Sequence, residues 1–205
     1  MHFNLLSEAL PESVAIGRKK YPIRWDFRVG IQVEAIVRSE KPDTQKYEDI
    51  LRLYYPTIPA DLQAAMNQAM WFYRCGEEKD LEEKDRRRYV RRGSKGPAWV
   101  FTQDAPYIYA AFKEQYGMDL TAKEPLHWWK FMALFESLGD STKMSKIMYY
   151  RQANTSGMSK AHRAFVNEMK KHFQIRDIAG KRMTLEQRNQ RWMKYIEERY
   201  AQRKA

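Results

Sequence analysis

The chain has 205 residues, 43% of them hydrophobic and 14% aromatic, which is enough to fill the core of a domain and excludes a disordered tail. Lys and Arg outnumber Asp and Glu by 37 to 26, so the formal net charge of +11 indicates an acidic partner. The single cysteine, Cys75, excludes an internal disulfide framework and a multi-cysteine zinc site. Residues 1–14 lack the pattern of a signal peptide and no stretch approaches the roughly 20 apolar residues of a membrane span, so we expect a cytosolic protein without a membrane partner.

The positive charge is unevenly distributed along the chain. Residues 1–76 hold 10 basic and 9 acidic side chains, residues 77–95 hold 8 and 6, residues 96–158 hold 6 and 6, and residues 159–205 hold 13 and 5. Most of the excess therefore belongs to the last quarter of the chain, and the body is nearly balanced. This pattern predicts a basic arm on a near-neutral domain.

The first 40 residues predict a β-hairpin followed by a helix. Residues 14–16 and 21–25 are rich in β-formers and flank a glycine-bearing turn at 17–20. Asp26 stands where a helix N-cap is expected, and apolar residues then recur at four-residue steps until Pro42 stops the run.

Two more helices complete the predicted N-terminal half. Residues 44–55 form a helix that Pro56 ends. Thr57 and Pro59 open the next helix, for which Gly76 is the expected C-terminal stop.

The second half predicts a strand at 98–101 and then mostly helices. Asp104 is the expected cap of a helix that ends at Gly117. Thr121 and Glu124 have the spacing of a capping box, which predicts a helix through Leu138 that is apolar nearly all round and therefore central to the core. Helices over 141–151 and 159–173 follow, and a basic amphipathic helix begins at Thr184.

These elements predict a mainly α protein with a small N-terminal β-hairpin and a basic amphipathic C-terminal helix. Residues 1–76 carry the hairpin and first helices, and 98–178 form a helical core that packs on them as one domain. Residues 77–97 form an exposed charged linker, and residues 179–205 form the basic arm.

Two segments hold the candidate partner-binding residues. On the C-terminal arm we expect Leu185, Trp192 and Ile196 to dock on a partner or on the body. We expect Arg188 and Arg191 to lie on the same helix, mostly on its solvated side. The second candidate is a run of exposed arginines in the linker: Arg86, Arg87, Arg88, Arg91 and Arg92.

No recognised catalytic, metal or cofactor motif is present in the sequence. The acidic triplets of the linker resemble the carboxylates by which some nucleases hold magnesium. These triplets lie in the most polar stretch of the chain, however, which favours a solvated loop. The four histidines have no i, i+4 pairing, and His127 beside Trp128 is interpreted as structural. There is no phosphate-binding glycine loop either. We therefore expect a protein that is not an enzyme and that has no cofactor.

Aromatic and methionine residues leave two interpretations open. The clusters at 71–73, 107–109 and 128–129 lie at helical spacing, which favours core packing over a base-stacking platform for nucleic acid. The eleven methionines fill a core or form an adaptable peptide-binding surface.

An ordered series of short motifs resembles a known phage family. The motifs are Leu10-Pro11, Tyr21-Pro22-Ile23, Asp26-Phe27-Arg28, Tyr55-Pro56, Ile58-Pro59, Trp71-Phe72-Tyr73-Arg74-Cys75-Gly76, Tyr107-Ile108-Tyr109-Ala110-Ala111-Phe112, Gln115-Tyr116-Gly117, Leu126-His127-Trp128-Trp129-Lys130-Phe131 and Lys146-Ile147-Met148 with Tyr150-Arg151. Together they make the chain similar to the bacteriophage gene-fifteen-product family of Gram-positive siphophages. The likeness extends from about residue 10 to residue 200.

The resemblance implies a small helical phage protein encoded beside the tape-measure gene, in the genome position of a tail-assembly chaperone. Such a chaperone binds the phage tape-measure protein in the cytoplasm of the infected bacterial host during tail morphogenesis. The tail-tube protein or a second copy of the chain is a further expected partner. Two alternatives remain: a nucleic-acid-binding protein acting through the basic C-terminal helix, and a structural component of the tail or neck that stays in the virion. No catalytic residues follow from the resemblance.

Overall fold

The computed structural model describes residues 3–77 and 97–175, and in these stretches the chain is mainly helical with one small antiparallel sheet. The predicted mainly α fold with an N-terminal hairpin is confirmed. The predicted helix from Thr184 lies outside the described residues, as does nearly all of the charged linker. In the described part, no helix is both long enough and apolar enough to cross a membrane.

The chain separates into two compact units. Of the described residues, the first unit holds 3–77 and 126–129, and the second holds 97–125 and 130–175. That the two halves pack as one domain stays a prediction.

A two-stranded β-hairpin is the first regular secondary structure in the described part of the first unit. Strand β1 covers Ser13–Ile16 and pairs antiparallel with strand β2, Lys19–Pro22. The turn in the structure is shorter than the predicted turn at 17–20. Two residues are enough to reverse the chain, because Gly17 adopts a φ of +60°. Lys19 and Lys20 consequently belong to the strand.

Three helices follow in the first unit: α1 over Phe27–Arg38, α2 over Asp43–Tyr54 and α3 over Leu62–Tyr73. Asp26 caps α1 as predicted, since its carboxylate accepts a 2.9 Å hydrogen bond from the Arg28 amide. Helix α3 begins later than predicted, because the Asp61 carboxylate accepts from the Ala64 amide and Pro59 disfavours a helical conformation at the residue before it.

The second unit is built on four helices, α4 over Phe101–Tyr116, α5 over Trp128–Glu136, α6 over Lys143–Gln152 and α7 over Lys160–His172. The first two residues of α5 belong to the first unit. Helix α4 ends at Gly117, which takes a left-handed φ of 66° as predicted for a C-terminal stop. Side chains of Phe101, Phe112, Phe131 and Phe135 form the centre of this unit, with ring centroids 5.2 to 6.2 Å apart.

Three predictions in this half are wrong. The expected strand at 98–101 is absent, and α4 begins at Phe101 instead, with Asp104 inside its first turn and not at its cap. The helix expected from Thr121 begins only at Trp128. Asp119 accepts hydrogen bonds from both the amide and the hydroxyl of Thr121, which fixes a turn there. Pro125 then disfavours a helical conformation at the residue before it.

Candidate interaction surface

Buried polar groups in the first unit serve packing, and His127 is the clearest example. Its Nδ1 accepts a hydrogen bond from the Trp129 amide at 3.1 Å, so its Nε2, 3.1 Å from the Pro11 carbonyl oxygen, is the nitrogen that donates. The ring also stacks on Trp25 at 5.6 Å. Both nitrogens and one face are thus engaged, which agrees with the predicted structural role.

The indoles of Trp128 and Trp129 are held by backbone carbonyls at the end of α3. Their Nε1 groups each donate a 2.8 Å hydrogen bond, to Tyr73 and Phe72 respectively. Gly30 gives Trp128 room, because a Cβ at Gly30 would lie 2.3 Å from the Cε3 atom of the indole. The aromatic cluster at 128–129 is therefore core, as predicted, and not a stacking platform.

Two adjacent tyrosines in the first unit differ in their hydrogen bonding. The Tyr55 hydroxyl donates a 2.8 Å hydrogen bond to the Ala65 carbonyl, whereas the buried Tyr54 hydroxyl has no partner among the described residues. Burial raises the pKa of Tyr55, and burial followed by repulsion from Tyr73 raises the pKa of Tyr54.

In the second unit a buried ion pair joins α4 to α6. The Arg151 guanidinium donates to both carboxylate oxygens of Asp104, at 2.6 and 2.8 Å, and the two side chains are 5% and 0% exposed. Arg151 also donates to the carbonyls of Ala98 and Phe173, at 3.0 and 2.6 Å. One guanidinium therefore holds together α4, α6, the segment before α4 and the end of α7. Because these hydrogen bonds hold both side chains in place, we interpret the ion pair as structural.

Five aromatic side chains form one connected, branched cluster on the second unit, which we call the aromatic ribbon: Tyr107, Tyr149, Tyr150, Phe165 and Phe173. Tyr150 is at its centre, with ring centroids 5.6 Å from Tyr149, 6.0 Å from Phe165 and 6.3 Å from Phe173. Phe173 in turn lies 6.2 Å from Tyr107. None of the five is fully buried, and Tyr149 and Phe165 are 44% and 47% exposed. Adjacent apolar rings left this open to solvent are typical of a contact surface.

The helices that carry most of the aromatic ribbon also carry cations. The exposed ones on α6 and α7, which we call the basic rim, are Lys143, Lys146, Lys160, Arg163 and Lys171. The Lys143 ammonium lies 5.0 Å from the centroid of the Tyr107 ring, so this member of the rim contacts the ribbon directly. Between residues 141 and 175 the sequence has seven Lys and Arg and one acid, Glu168. The ribbon and rim together form a candidate interaction surface.

The sequence explains why α7 displays this surface. Ser159 caps the helix by accepting a hydrogen bond from the His162 amide at 3.3 Å. Of the thirteen residues of α7 only Val166 is buried, so most of the helix faces solvent. Met148, Met158 and Met169 on and between α6 and α7 are half-buried, whereas Met144 is fully buried. Half-buried methionines give such a surface the ability to adapt its shape.

The site residues predicted from the sequence lie outside the described residues. These are Leu185, Arg188, Arg191, Trp192 and Ile196 on the arm, and Arg86, Arg87, Arg88, Arg91 and Arg92 in the linker. Their roles stay predictions. Sequence reasoning missed the ribbon and rim, because a charge boundary drawn between residues 158 and 159 separates α6 from α7. A window over 141–175 would have shown the excess of cations.

No group of three or more His, Cys, Asp or Glu side chains in the described stretches could hold a metal ion. The ribbon and rim themselves offer apolar contact and positive charge.

Comparison with known proteins identifies the chain's family. Residues 6–175 match a protein-family model described as Bacteriophage Gp15 protein. No curated protein and no solved structure matches the chain. The matched range contains the whole ribbon and the whole basic rim. Since the model covers far more than half of the 205 residues, the chain belongs to the bacteriophage Gp15 family, which places it among phage structural or assembly proteins.

Proposed function

We propose that the protein is a non-enzymatic tail-assembly chaperone that binds the phage tape-measure protein in the host cytoplasm during tail morphogenesis. The observation that carries this proposal is the aromatic ribbon, which α4, α6 and α7 and the residue after α7 provide, in a chain that belongs to a phage family. The resemblance to siphophage proteins encoded beside the tape-measure gene supports the choice of partner.

The ribbon suits a partner that must be released later. Tyr149 and Phe165 are each about half exposed, so a partner gains contact with them without having to unfold the second unit. Burying two such rings contributes only a few kcal/mol. Binding of this strength holds one segment weakly, which is the behaviour required if tail-tube subunits are to displace the chaperone.

Several copies on one long partner would compensate for weak individual sites. When one protein displays repeated binding segments, chaperones bound side by side shield it even though each contact is reversible. The half-buried methionines near the ribbon support binding to segments that differ in sequence.

A structural role for the buried charged and polar groups supports the non-enzymatic part of the proposal. Asp104, Arg151 and His127 all make hydrogen bonds that hold secondary-structure elements or loops in place.

Coexpression tests the proposal. The chain is produced in bacteria with the tape-measure protein of the same phage, and the soluble tape-measure protein is measured with and without it. We expect a complex that copurifies and a gain in soluble tape-measure protein. Absence of both would contradict the chaperone role.

A second measurement separates a chaperone from a tail or neck component. Purified virions are analysed for the protein by mass spectrometry. A chaperone leaves before the tail is complete, so we expect it to be absent from virions and present in lysates. Retention at a fixed copy number per particle would instead favour the structural role.

A further inference from the structure

We propose that the ribbon and basic rim bind an acidic amphipathic helix, with its apolar face on Tyr149 and Phe165 and its carboxylates against the lysines and arginine. This inference rests on the proposed function, because it takes the partner to be a helical protein segment. It adds the chemistry of that segment and the place where it binds.

Charge is the first argument for an acidic partner. Of the seven Lys and Arg between residues 141 and 175, Arg151 is neutralised by Asp104, and Lys170 is half-buried, with its ammonium donating to the Ala153 carbonyl at 2.6 Å. The other five are the exposed cations of the rim, against the single carboxylate of Glu168. Among these five, Arg163 also donates to a carbonyl, that of Met158 at 3.1 Å, but it remains exposed. A surface with this excess attracts carboxylates or phosphates and repels basic segments.

The same charge argues against the chain's own C-terminal arm as the occupant. Residues 179–205 contain eight Lys and Arg, at positions 181, 182, 188, 191, 194, 199, 203 and 204, against three Glu at 186, 197 and 198. Placing this arm on the basic rim would bring like charges together. An acidic segment from another protein is the better complement.

Ring geometry favours a helix over single-stranded nucleic acid. Nucleic-acid platforms offer ring faces on which successive bases stack. Here the two most exposed rings meet Tyr150 at steep angles, 63° for Tyr149 and 82° for Phe165, and Tyr150 lies parallel to Phe173 at 4°. The interlocked rings form an uneven apolar ridge, which suits the side chains of an apolar helix face.

The first experiment identifies the bound segment. Overlapping peptides that cover the tape-measure protein of the same phage are presented to the full-length chain, and the bound peptides are sequenced. We expect them to combine net negative charge with apolar residues at i, i+3, i+4 and i+7. In each bound peptide, replacement of Glu and Asp by Gln and Asn should weaken binding about tenfold or more. Bound peptides that are neutral or basic, or an unchanged affinity of the amide versions, would overturn the inference.

Variants of the chain test the location. Lys146→Glu with Arg163→Glu should abolish peptide binding, because both substitutions lie in the rim. The matched control is Lys19→Glu with Lys20→Glu, which changes the net charge equally but lies on exposed positions of β2 in the first unit. Thermal unfolding checks that both variants fold. An equal loss of peptide binding in the two double variants would mean that only net charge matters and would overturn the assigned site.

Two further outcomes separate this inference from the proposed function. If the tape-measure protein copurifies with the chain but its acidic peptides do not bind, the inference fails and the chaperone role stands. If neither the tape-measure protein nor its acidic peptides bind, the result contradicts the chaperone role and, with it, the inference. A labelled 20-nucleotide poly(dT) strand is the third probe. Binding that is tighter than that of any peptide, and that Lys146→Glu with Arg163→Glu abolishes, would assign the surface to nucleic acid and overturn the inference.

Discussion

Both units of the protein use clusters of aromatic residues, but for opposite purposes. In the first unit, Trp128, Trp129 and Phe72 are at most 3% exposed, and both indole N–H groups are held by backbone carbonyls. In the second unit, Tyr149 and Phe165 keep nearly half of their surface in contact with solvent, on helices that also carry exposed cations. Aromatic content alone therefore does not locate a site, because burial and the neighbouring charges decide what the rings do.

The largest effect is expected at the ion pair that supports the ribbon. Asp104→Asn should lower the free energy of unfolding by about 3–5 kcal/mol, because it leaves the buried Arg151 charge without its carboxylate. Chemical denaturation followed by circular dichroism measures the loss. Asp119→Asn is the control, since Asp119 is half exposed and its change should cost far less. Equal losses in the two variants would contradict a structural role for the pair.

An overpacking change in the first unit comes next. Gly30→Ala should cost about 1–3 kcal/mol, because the new Cβ would meet the Trp128 ring at 2.3 Å. Gly139→Ala is the matched control, since its nearest neighbour would be an ordinary 3.5 Å contact with Gln115. Tryptophan fluorescence should change in the first variant and not in the second. A neutral Gly30→Ala would mean that the first unit is less tightly packed than described.

The adjacent tyrosines of the first unit should respond in opposite directions. Tyr55→Phe should destabilise by about 1 kcal/mol, because it removes the hydrogen bond to Ala65. Tyr54→Phe should be neutral or stabilising by about 1 kcal/mol, because it removes a buried hydroxyl that has no partner in the described residues. Denaturation midpoints measure both effects. A larger loss for Tyr54→Phe than for Tyr55→Phe would contradict the assigned hydrogen bonding.

The same tyrosines predict a response to alkaline pH. Burial raises the pKa of Tyr55 above its ordinary value of about 10, so above that pH the folded state keeps a proton that the unfolded state loses. The free energy of unfolding should therefore be unaffected by this group below about pH 10 and should fall as the pH rises further. Comparing the wild type with Tyr55→Phe between pH 9 and pH 11 tests this, and a parallel dependence in both would contradict it.

The smallest effect on stability is expected where the effect on binding is largest. Tyr149→Ser and Phe165→Ser should each change the free energy of unfolding by no more than about 1 kcal/mol, because nearly half of each residue is already exposed to solvent. Both should weaken copurification with the tape-measure protein. Phe131→Ser is the contrasting variant, because that ring is fully buried and its loss should unfold the second unit. A large stability loss at Tyr149 would mean that the ribbon is part of the core.

Local signals in the sequence were enough to predict most of the elements. Asp26 and Gly117 marked a start and a stop that the structure has, since capping and left-handed glycine depend on neighbouring residues alone. Asp104 was misassigned because its carboxylate is held by Arg151, 47 residues away, and sequence spacing cannot show such a pairing. The ribbon was missed for the same reason, since Tyr107, Tyr150 and Phe165 come from three different helices.

Hydrogen–deuterium exchange on the copurified complex with the tape-measure protein tests the central claim most directly. The amides of α6 and α7, residues Lys143–Gln152 and Lys160–His172, are compared in the free and bound protein. We predict protection that is concentrated in these two helices and lost in the Tyr149→Ser, Phe165→Ser double variant. Protection confined to the first unit, with α6 and α7 unchanged, would contradict the claim that the ribbon and rim bind the partner.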